Sequence, residues 1–203
     1  MEFLVSRLKL RGCIRSAAVE RAMLSVDRAL FVPENERAFA YGDHPLTIGY
    51  GQTISAPHMV AIMLELLELK KEDRVLEIGT GSGYNAALMA SIAGEVYTVE
   101  SLPELAEMAK ENLRGFGNVR VLVGDGSLGY EEAAPYDAIC ATCAAPALPE
   151  PLKEQLGEGG RIVIPIGSLY VQTLHRFVKR DDTLESSTHG DVVFVPMRGR
   201  HGF

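Results

Sequence analysis

Three glycines at alternate positions directly follow a short apolar run, and this arrangement constrains the fold more than any other feature of the chain. The run occupies residues 74–78, the glycines are Gly79, Gly81 and Gly83, and helix-forming residues begin at Tyr84. That order predicts a strand, a tight turn and the start of a helix. Because glycine has no Cβ atom, such a turn brings bare backbone close to whatever binds there. A dinucleotide-binding fingerprint needs its third glycine one position later, where this chain has Tyr84.

Strand and helix patterns alternate between residues 70 and 166. The predicted strands cover 74–78, 95–99, 119–123, 138–141 and 161–165, and the predicted helices cover 84–93, 103–113 and 148–156. Such alternation predicts parallel strands joined by right-handed crossovers, so we expect an α/β fold with a doubly wound, mostly parallel sheet. The 203 residues are enough for one domain. We expect an N-terminal helical and active-site loop segment (1–60), a ligand-binding core (70–166) and additional C-terminal strands (167–203).

The residues that follow each predicted strand indicate the ligand, because doubly wound sheets bind ligands at the carboxyl ends of their strands. Glu100 follows the second strand, 21 positions after Gly79, which is typical of a carboxylate that accepts hydrogen bonds from ribose hydroxyls. Asp125 lies between two glycines after the third strand, where it is suited to accept from an adenine amino group. Taken alone, Glu100 has an alternative explanation as a solvated acid or helix cap, and Asp125 is better explained as a turn residue. Together with a glycine turn that fits pyrophosphate poorly, they favour S-adenosylmethionine as the ligand.

A glycine- and proline-rich segment, residues 41–61, precedes a predicted helix that runs to about residue 69. Thr53, Ser55 and His58 cluster just before that helix. Ser55 is a candidate N-cap, with Pro57 in the first helical turn. A hydroxyl at the start of a helix is equally suited to bind an anion. The residues alone leave both interpretations open.

Charge and cysteine content narrow the class of protein. The net charge of −7 argues against a nonspecific nucleic-acid binder, whose affinity comes from cationic contacts to phosphate. We see no secretory leader and no apolar run of membrane-spanning length, so we expect a cytoplasmic protein with no membrane partner. The three cysteines do not form a disulfide framework. Cys140 and Cys143 match C-x-x-C, but they lie inside an apolar run, which favours two small buried residues over a redox site.

The chain resembles the protein-L-isoaspartate O-methyltransferase family over nearly its whole length. The most specific block is Gly-Gln-Thr-Ile-Ser-Ala-Pro-His-Met-Val-Ala at residues 51–61. Further matching blocks lie at residues 22–33, 76–84, 124–126, 144–146, 159–167 and 194–196. The chain departs from the family pattern at Thr47, where proline is more familiar, and at Cys143, where alanine is. The second departure places an oxidisable thiol close to the substrate loop.

The resemblance implies the fold of S-adenosylmethionine-dependent methyltransferases and a protein-repair reaction. A methyl group would pass from S-adenosylmethionine to the free α-carboxylate of an L-isoaspartyl residue, leaving S-adenosylhomocysteine, and the ester would return to L-aspartyl through a succinimide. The expected partners are damaged proteins and peptides, and we expect a monomer that binds no nucleic acid. The alternatives are another S-adenosylmethionine-dependent methyltransferase acting on a small molecule or RNA, or a catalytically silent adenosyl-binding module.

The resemblance also assigns site residues, and no metal is expected among them. Ser55 matches the family's active-site serine. The expected cofactor-binding residues are Thr53, Ser55, Glu77, Gly79, Thr80, Gly81, Ser82, Gly83, Glu100, Ser101, Asp125 and Gly126. The expected substrate-binding residues are Thr53, Ser55, His58, Ala144, Val195 and Arg198, and residues 195–198 match a segment that closes over the site.

Overall fold

The computed structural model describes residues 1–181 and 183–203. Its α-helices are α1 (Glu2–Leu10), α2 (Ala17–Ser25), α3 (Pro57–Leu67), α4 (Tyr84–Ala90), α5 (Pro103–Asn112) and α6 (Glu150–Glu154). Its strands are β1 (Leu46–Gly49), β2 (Gln52–Ile54), β3 (Arg74–Ile78), β4 (Glu95–Glu100), β5 (Val119–Val123), β6 (Tyr136–Ala141), β7 (Leu156–Gly167), β8 (Gln172–Arg180) and β9 (Thr183–Val192). None of the helices in these ranges has the length and apolar character needed to cross a membrane.

Seven strands form one sheet in the order β5-β4-β3-β6-β7-β8-β9. Strands β3 to β7 pair in parallel, whereas β8 and β9 are antiparallel to their neighbours. The sheet order reverses at β3, which has β4 on one side and β6 on the other. Because ligands bind where the strand order reverses in such sheets, the carboxyl end of β3 is the expected position of a site. The prediction of a mostly parallel α/β sheet with added C-terminal strands is confirmed.

The predicted strands match the structure more closely than the predicted helices do. Strands β3 and β5 have the predicted bounds, and β7 extends well beyond the predicted 161–165. Helix α4 ends at Ala90 rather than residue 93, because Ser91 caps it and its hydroxyl donates back to the Leu88 carbonyl. Helix α6 spans only five residues instead of the predicted 148–156, since Pro149 precedes it and β7 begins at Leu156.

A buried arginine joins the end of α3 to the central sheet. Arg161 in β7 donates from Nε to the Leu67 carbonyl at 2.6 Å and from Nη2 to the Glu68 carbonyl at 2.9 Å. Its charge is matched by Asp73, whose Oδ2 lies 2.6 Å from Nη2. Both partners of the ion pair are buried. Because the last carbonyls of a helix have no partner within the helix, this contact fixes where α3 ends against the sheet.

Candidate active site

The turn after β3 adopts backbone conformations that favour glycine. Gly79, Gly81 and Gly83 have φ angles of 92°, 54° and 88°, which L side chains rarely adopt. Gly79 also has no room for a side chain, because a Cβ atom there would lie 2.6 Å from Oγ1 of Thr142. That hydroxyl donates to the Gly79 carbonyl. The turn therefore packs directly against the residues that follow β6.

A cleft opens where β3, β4 and β6 end, and we call it the first cleft. Its volume is about 880 Å³ including its open mouth. Eleven of the expected site residues line it, namely Thr53, Ser55, Gly79, Thr80, Gly81, Ser82, Glu100, Ser101, Gly126, Val195 and Arg198. The structure thus brings together residues from the N-terminal loop, the glycine turn, two further strand ends and the C-terminal tail.

Glu100 joins the glycine turn to the start of α5. Its Oε2 accepts from the Gly81 N–H at 2.9 Å, and its Oε1 accepts from the Leu102 N–H at 3.0 Å. The carboxylate is buried against the wall of the first cleft. Each oxygen of an ionised carboxylate has two acceptor positions. Oε1 also accepts from the Ser101 hydroxyl at 3.4 Å, whereas Oε2 keeps capacity for a ligand hydroxyl. Glu100 is therefore both a cap and a candidate ligand group, two roles that the sequence left as alternatives.

Asp125 does not line the first cleft. Its Oδ1 accepts from the Ser127 N–H at 2.9 Å, and its Oδ2 accepts from the Arg200 N–H at 2.8 Å. Burial alone would raise the pKa of Asp125, but the hydrogen bonds from Ser127 and Arg200 outweigh it and hold that pKa below its usual value. The structure therefore shows a carboxylate that ties the C-terminal tail to the turn after β5, next to Gly126 on the cleft wall.

Glu77 lies beneath the glycine turn and not on the wall of the cleft. It is completely buried. Its Oε2 accepts from Oγ1 of Thr98 at 2.5 Å and its Oε1 from Nδ2 of Asn85 at 2.9 Å. Burial raises its pKa to about 7. The expectation that this side chain touches the cofactor is corrected to a supporting position. Gly83 is likewise absent from the cleft wall, because it faces Leu113 and begins α4.

A second cleft adjoins the first, and Ser55 lies where they meet. The second cleft has a volume of about 1100 Å³ including its mouth. Its walls include His58, Met59, Val171 and the chain from Asp191 to Val195. Four residues line both clefts, namely Thr53, Ser55, Thr142 and Val195. A group bound in one cleft therefore lies next to a group bound in the other, with the Ser55 side chain at the boundary.

The alternative interpretation of Ser55 as the N-cap of α3 is wrong. The N-cap is Ala56, which has no side-chain oxygen. Asp43 supplies the missing acceptor from a distant part of the chain, because its Oδ1 accepts from the His58 N–H at 2.9 Å and lies 2.8 Å from His58 Nδ1. Arg11 pairs with the other oxygen of Asp43. The Ser55 hydroxyl is consequently not needed for capping.

The C-terminal tail lies across both clefts. Ala144, expected to contact substrate, lines neither of them. Its N–H instead donates to the Val195 carbonyl at 2.8 Å, and its carbonyl accepts from the Met197 N–H at 2.7 Å. These bonds hold Val195 and Arg198 against the first cleft. The role of Ala144 is therefore to fix the tail, and its small, fully buried side chain allows that close approach.

Cys140 and Cys143 are free, buried thiols. Burial raises the pKa of both, so neither is an activated thiolate. Cys143 lines the first cleft. Within the described ranges, no group of three or more histidine, cysteine or acidic side chains is arranged to hold a metal ion.

Comparison with known proteins identifies the family. A sequence profile described as protein-L-isoaspartate(D-aspartate) O-methyltransferase matches residues 1–202. The chain belongs to this family.

Individual relatives agree with the profile. The protein-L-isoaspartate O-methyltransferase of Pyrococcus horikoshii is 52% identical to this chain, and the alignment covers 98% of this chain and 93% of that protein. Protein-L-isoaspartate O-methyltransferase 1 of Archaeoglobus fulgidus is 56% identical, with 93% of this chain and 88% of that protein covered. A solved protein-L-isoaspartate O-methyltransferase superposes with a TM-score of 0.89 at 34% identity, covering 98% of this chain and 66% of the other. A putative family member from Plasmodium falciparum, crystallised with S-adenosyl-L-homocysteine, gives 0.85 at 31% identity, with 96% of both chains covered.

The first cleft fits the cofactor of this methyltransferase family. Gly79 and Gly81 line this cleft with backbone alone, and their positive φ angles favour residues without a side chain. Apolar side chains of Ile78, Val99 and Leu102 line the same cleft, which suits the faces of an adenine ring. The predicted family, enzyme class and cofactor are confirmed.

Two residues that support the site, Asp43 and Arg28, carry no signal of that role in the sequence. Asp43 lies in the glycine-rich segment, but nothing in its local pattern indicates a cap for a helix that begins 14 residues later. Arg28 donates to the Ser55 carbonyl from a buried position, and nothing in the sequence distinguished it from a surface arginine. Both contacts join segments that are distant along the chain, so periodicity and local motifs do not report them.

Proposed function

We propose that the first cleft holds S-adenosylmethionine and the second holds an isoaspartyl peptide, so that the two reacting groups meet at Ser55. The observation that carries this assignment is that the two clefts share Thr53, Ser55, Thr142 and Val195. An enzyme of this family transfers a methyl group from a donor to a protein carboxylate, so it must hold both side by side. Adjoining clefts supply the proximity that such a reaction needs.

The cofactor is held by the glycine turn and by Glu100 in this proposal. The backbone of Gly79 and Gly81 admits it closely, while Thr80, Ser82 and Ser101 surround it with hydroxyls, and Gly126 keeps the far wall thin. Glu100 accepts a hydrogen bond from a ribose hydroxyl with the Oε2 lone pair that the Gly81 N–H leaves free. When bound, the cofactor supplies an electrophilic methyl group on a sulfonium.

Ser55 orients the substrate carboxylate. The α-carboxylate that isomerisation exposes has a pKa near that of a chain terminus, about 3.5, so it is ionised at neutral pH and needs no general base. The Ser55 hydroxyl donates to one carboxylate oxygen, with Thr53 beside it, and leaves the other oxygen free to attack. A neutral donor is suited to this role because a directly bound cation would reduce the nucleophilicity of the carboxylate.

The tail excludes water from the reacting groups. Val195 lies at the junction of the clefts and Arg198 at the wall of the first. His58 lines the second cleft and is held by Asp43, so it is fixed beside the incoming peptide. After transfer, the methylated peptide leaves the enzyme and cyclises to a succinimide with loss of methanol, and water opens that ring to a mixture that contains L-aspartyl.

The experiment that tests this function compares two peptides of identical sequence, one with isoaspartate and one with aspartate at a single position. We expect methyl transfer to the isoaspartyl peptide, measured as radiolabelled methyl ester, and no transfer above background to the aspartyl peptide. Equal rates on both peptides would refute the assignment of the second cleft.

We also propose a single-domain monomer in the cytoplasm with no nucleic-acid or membrane partner. The N-terminal loop, the sheet core and the tail all contribute to one cleft, which supports treating residues 1–203 as one unit. The three free thiols suit a reducing compartment, and the net charge of −7 disfavours nucleic acid.

A further inference from the structure

Arg28 is a fully buried cation that lies behind Ser55. Its Nη1 donates to the Ala40 carbonyl at 2.6 Å, and its Nη2 donates to the carbonyls of His44 and Ser55 at 3.2 and 3.1 Å. Ala40 and Ser55 are the two ends of the loop that carries β1 and β2. The guanidinium therefore holds this loop closed and lies one peptide group away from the side chain at the junction of the clefts.

The charge of Arg28 has no ion-pair partner among residues 1–181 and 183–203, and its Nε has no acceptor there. Asp43 attracts it over a longer distance, but that carboxylate is already paired with Arg11 and His58. Burial lowers the pKa of Arg28, and this effect is only partly opposed by Tyr84 and Asp43. A buried charge without a partner is costly.

Arg161 provides the contrast. It is also buried and also donates to carbonyls at the end of a segment, but its charge is matched by Asp73 at 2.6 Å. Structural anchoring alone is therefore achieved elsewhere in this chain with a paired guanidinium. The unpaired charge at Arg28 needs a further explanation, and the adjacent junction is where the proposed function brings an anion.

We propose that the buried guanidinium of Arg28 supplies the positive charge that draws the substrate carboxylate to Ser55. The inference rests on the proposed function. Because the Ser55 peptide group separates the cation from the cleft, Arg28 attracts the carboxylate without binding its oxygens, and the attacking lone pair stays free. Arg28 is thus a positioning residue. At the effective dielectric constant of about 20 that is typical near a protein surface, we expect such an attraction to correspond to about tenfold in affinity.

The test measures charge selectivity rather than activity. Two peptides of the same sequence are used, one with isoaspartate and one with isoasparagine, whose amide is a neutral isostere. Binding is measured by calorimetry with the protein saturated with S-adenosylhomocysteine. We expect Arg28→Gln to lower the affinity for the isoaspartyl peptide about tenfold and the affinity for the neutral peptide less than twofold. Equal weakening of both peptides, or of neither, would overturn the inference, because a purely structural role does not distinguish them.

Two further variants keep the result interpretable. Arg161→Gln should lower the melting temperature but leave the ratio of the two affinities unchanged. Arg28→Lys keeps the charge, so the ratio of the two peptide affinities should stay within about threefold of the wild-type ratio. This variant remains informative even if Arg28→Gln does not fold, because equal affinity of Arg28→Lys for the two peptides would overturn the inference. If the wild-type protein binds neither peptide, the proposed function and this inference are both refuted. If Arg28→Gln leaves the ratio of the two peptide affinities unchanged, only this inference is refuted.

Discussion

The two carboxylate oxygens of Glu100 both accept hydrogen bonds, and replacing Glu100 by glutamine changes one of them into an NH₂ group. Each oxygen now accepts one backbone N–H, from Gly81 at 2.9 Å and from Leu102 at 3.0 Å. In either orientation, the new NH₂ group of Glu100→Gln faces one of these donors, and that N–H loses its acceptor. An unsatisfied buried donor costs about 1–3 kcal/mol. The free energy of unfolding should fall by that amount, which lowers the melting temperature by about 2–12 °C for a chain of this length.

Cofactor affinity should fall as well, because the charged acceptor for the ribose hydroxyls is lost. A loss of about 1–3 kcal/mol corresponds to about 5–150-fold in Kd. The assay is calorimetric titration with S-adenosylhomocysteine well below the melting temperature. Glu95→Gln is the matched control, since Glu95 lies at the other end of β4 and pairs with Arg74 on the surface. A Glu100→Gln protein that is less stable but binds the ligand with wild-type affinity would refute the ligand role and leave only the cap.

Two other substitutions test the surroundings of the first cleft. Gly81→Val should abolish binding of S-adenosylhomocysteine in the folded protein, since a β-branched residue does not tolerate a φ of 54° and would displace the turn that lines the first cleft; Gly12→Val, at a φ of 74° with nothing within 4 Å of its Cβ atom, is the control. Glu77 has a folded-state pKa of about 7 against an ordinary value of 4.5, so its contribution to stability is fully present below pH 4.5 and is lost as pH rises through 7. Glu77→Gln should remove about 3 kcal/mol of that pH dependence from urea unfolding curves, and an unaltered slope would contradict a buried, raised-pKa carboxyl.

The parts of the fold that depend on local pattern were predictable from the sequence. The strand before Gly79 and the turn itself follow from an apolar run that ends in alternate glycines, and the structure has them at the predicted residues. Pro103 begins α5 as expected, because proline is tolerated in a first helical turn. The positions of the residues that follow the strands were therefore predicted correctly, although some of their contacts were not predicted.

Three contacts near the site that the sequence did not predict are long-range. The tail residue Arg200, 75 positions after Asp125, donates to its carboxylate. Ser55 was a reasonable N-cap by local rules, but Asp43 takes the capping role after the loop folds back. Arg28 became visible only when its three carbonyl partners were seen together. Pairings across such separations depend on the assembled fold and leave no local pattern.

The Ser55 hydroxyl is the centre of this account, and the rate of methyl transfer by Ser55→Gly tests it most directly. Because Ala56 and not Ser55 caps α3, the variant should keep its melting temperature to within the effect of one surface substitution, as a Ser25→Gly control establishes. With saturating isoaspartyl peptide and S-adenosylmethionine, we expect kcat to fall about 10–100-fold through misalignment of the carboxylate, while the affinity for S-adenosylhomocysteine changes little. A Ser55→Gly protein with wild-type kcat on the isoaspartyl peptide would contradict the account.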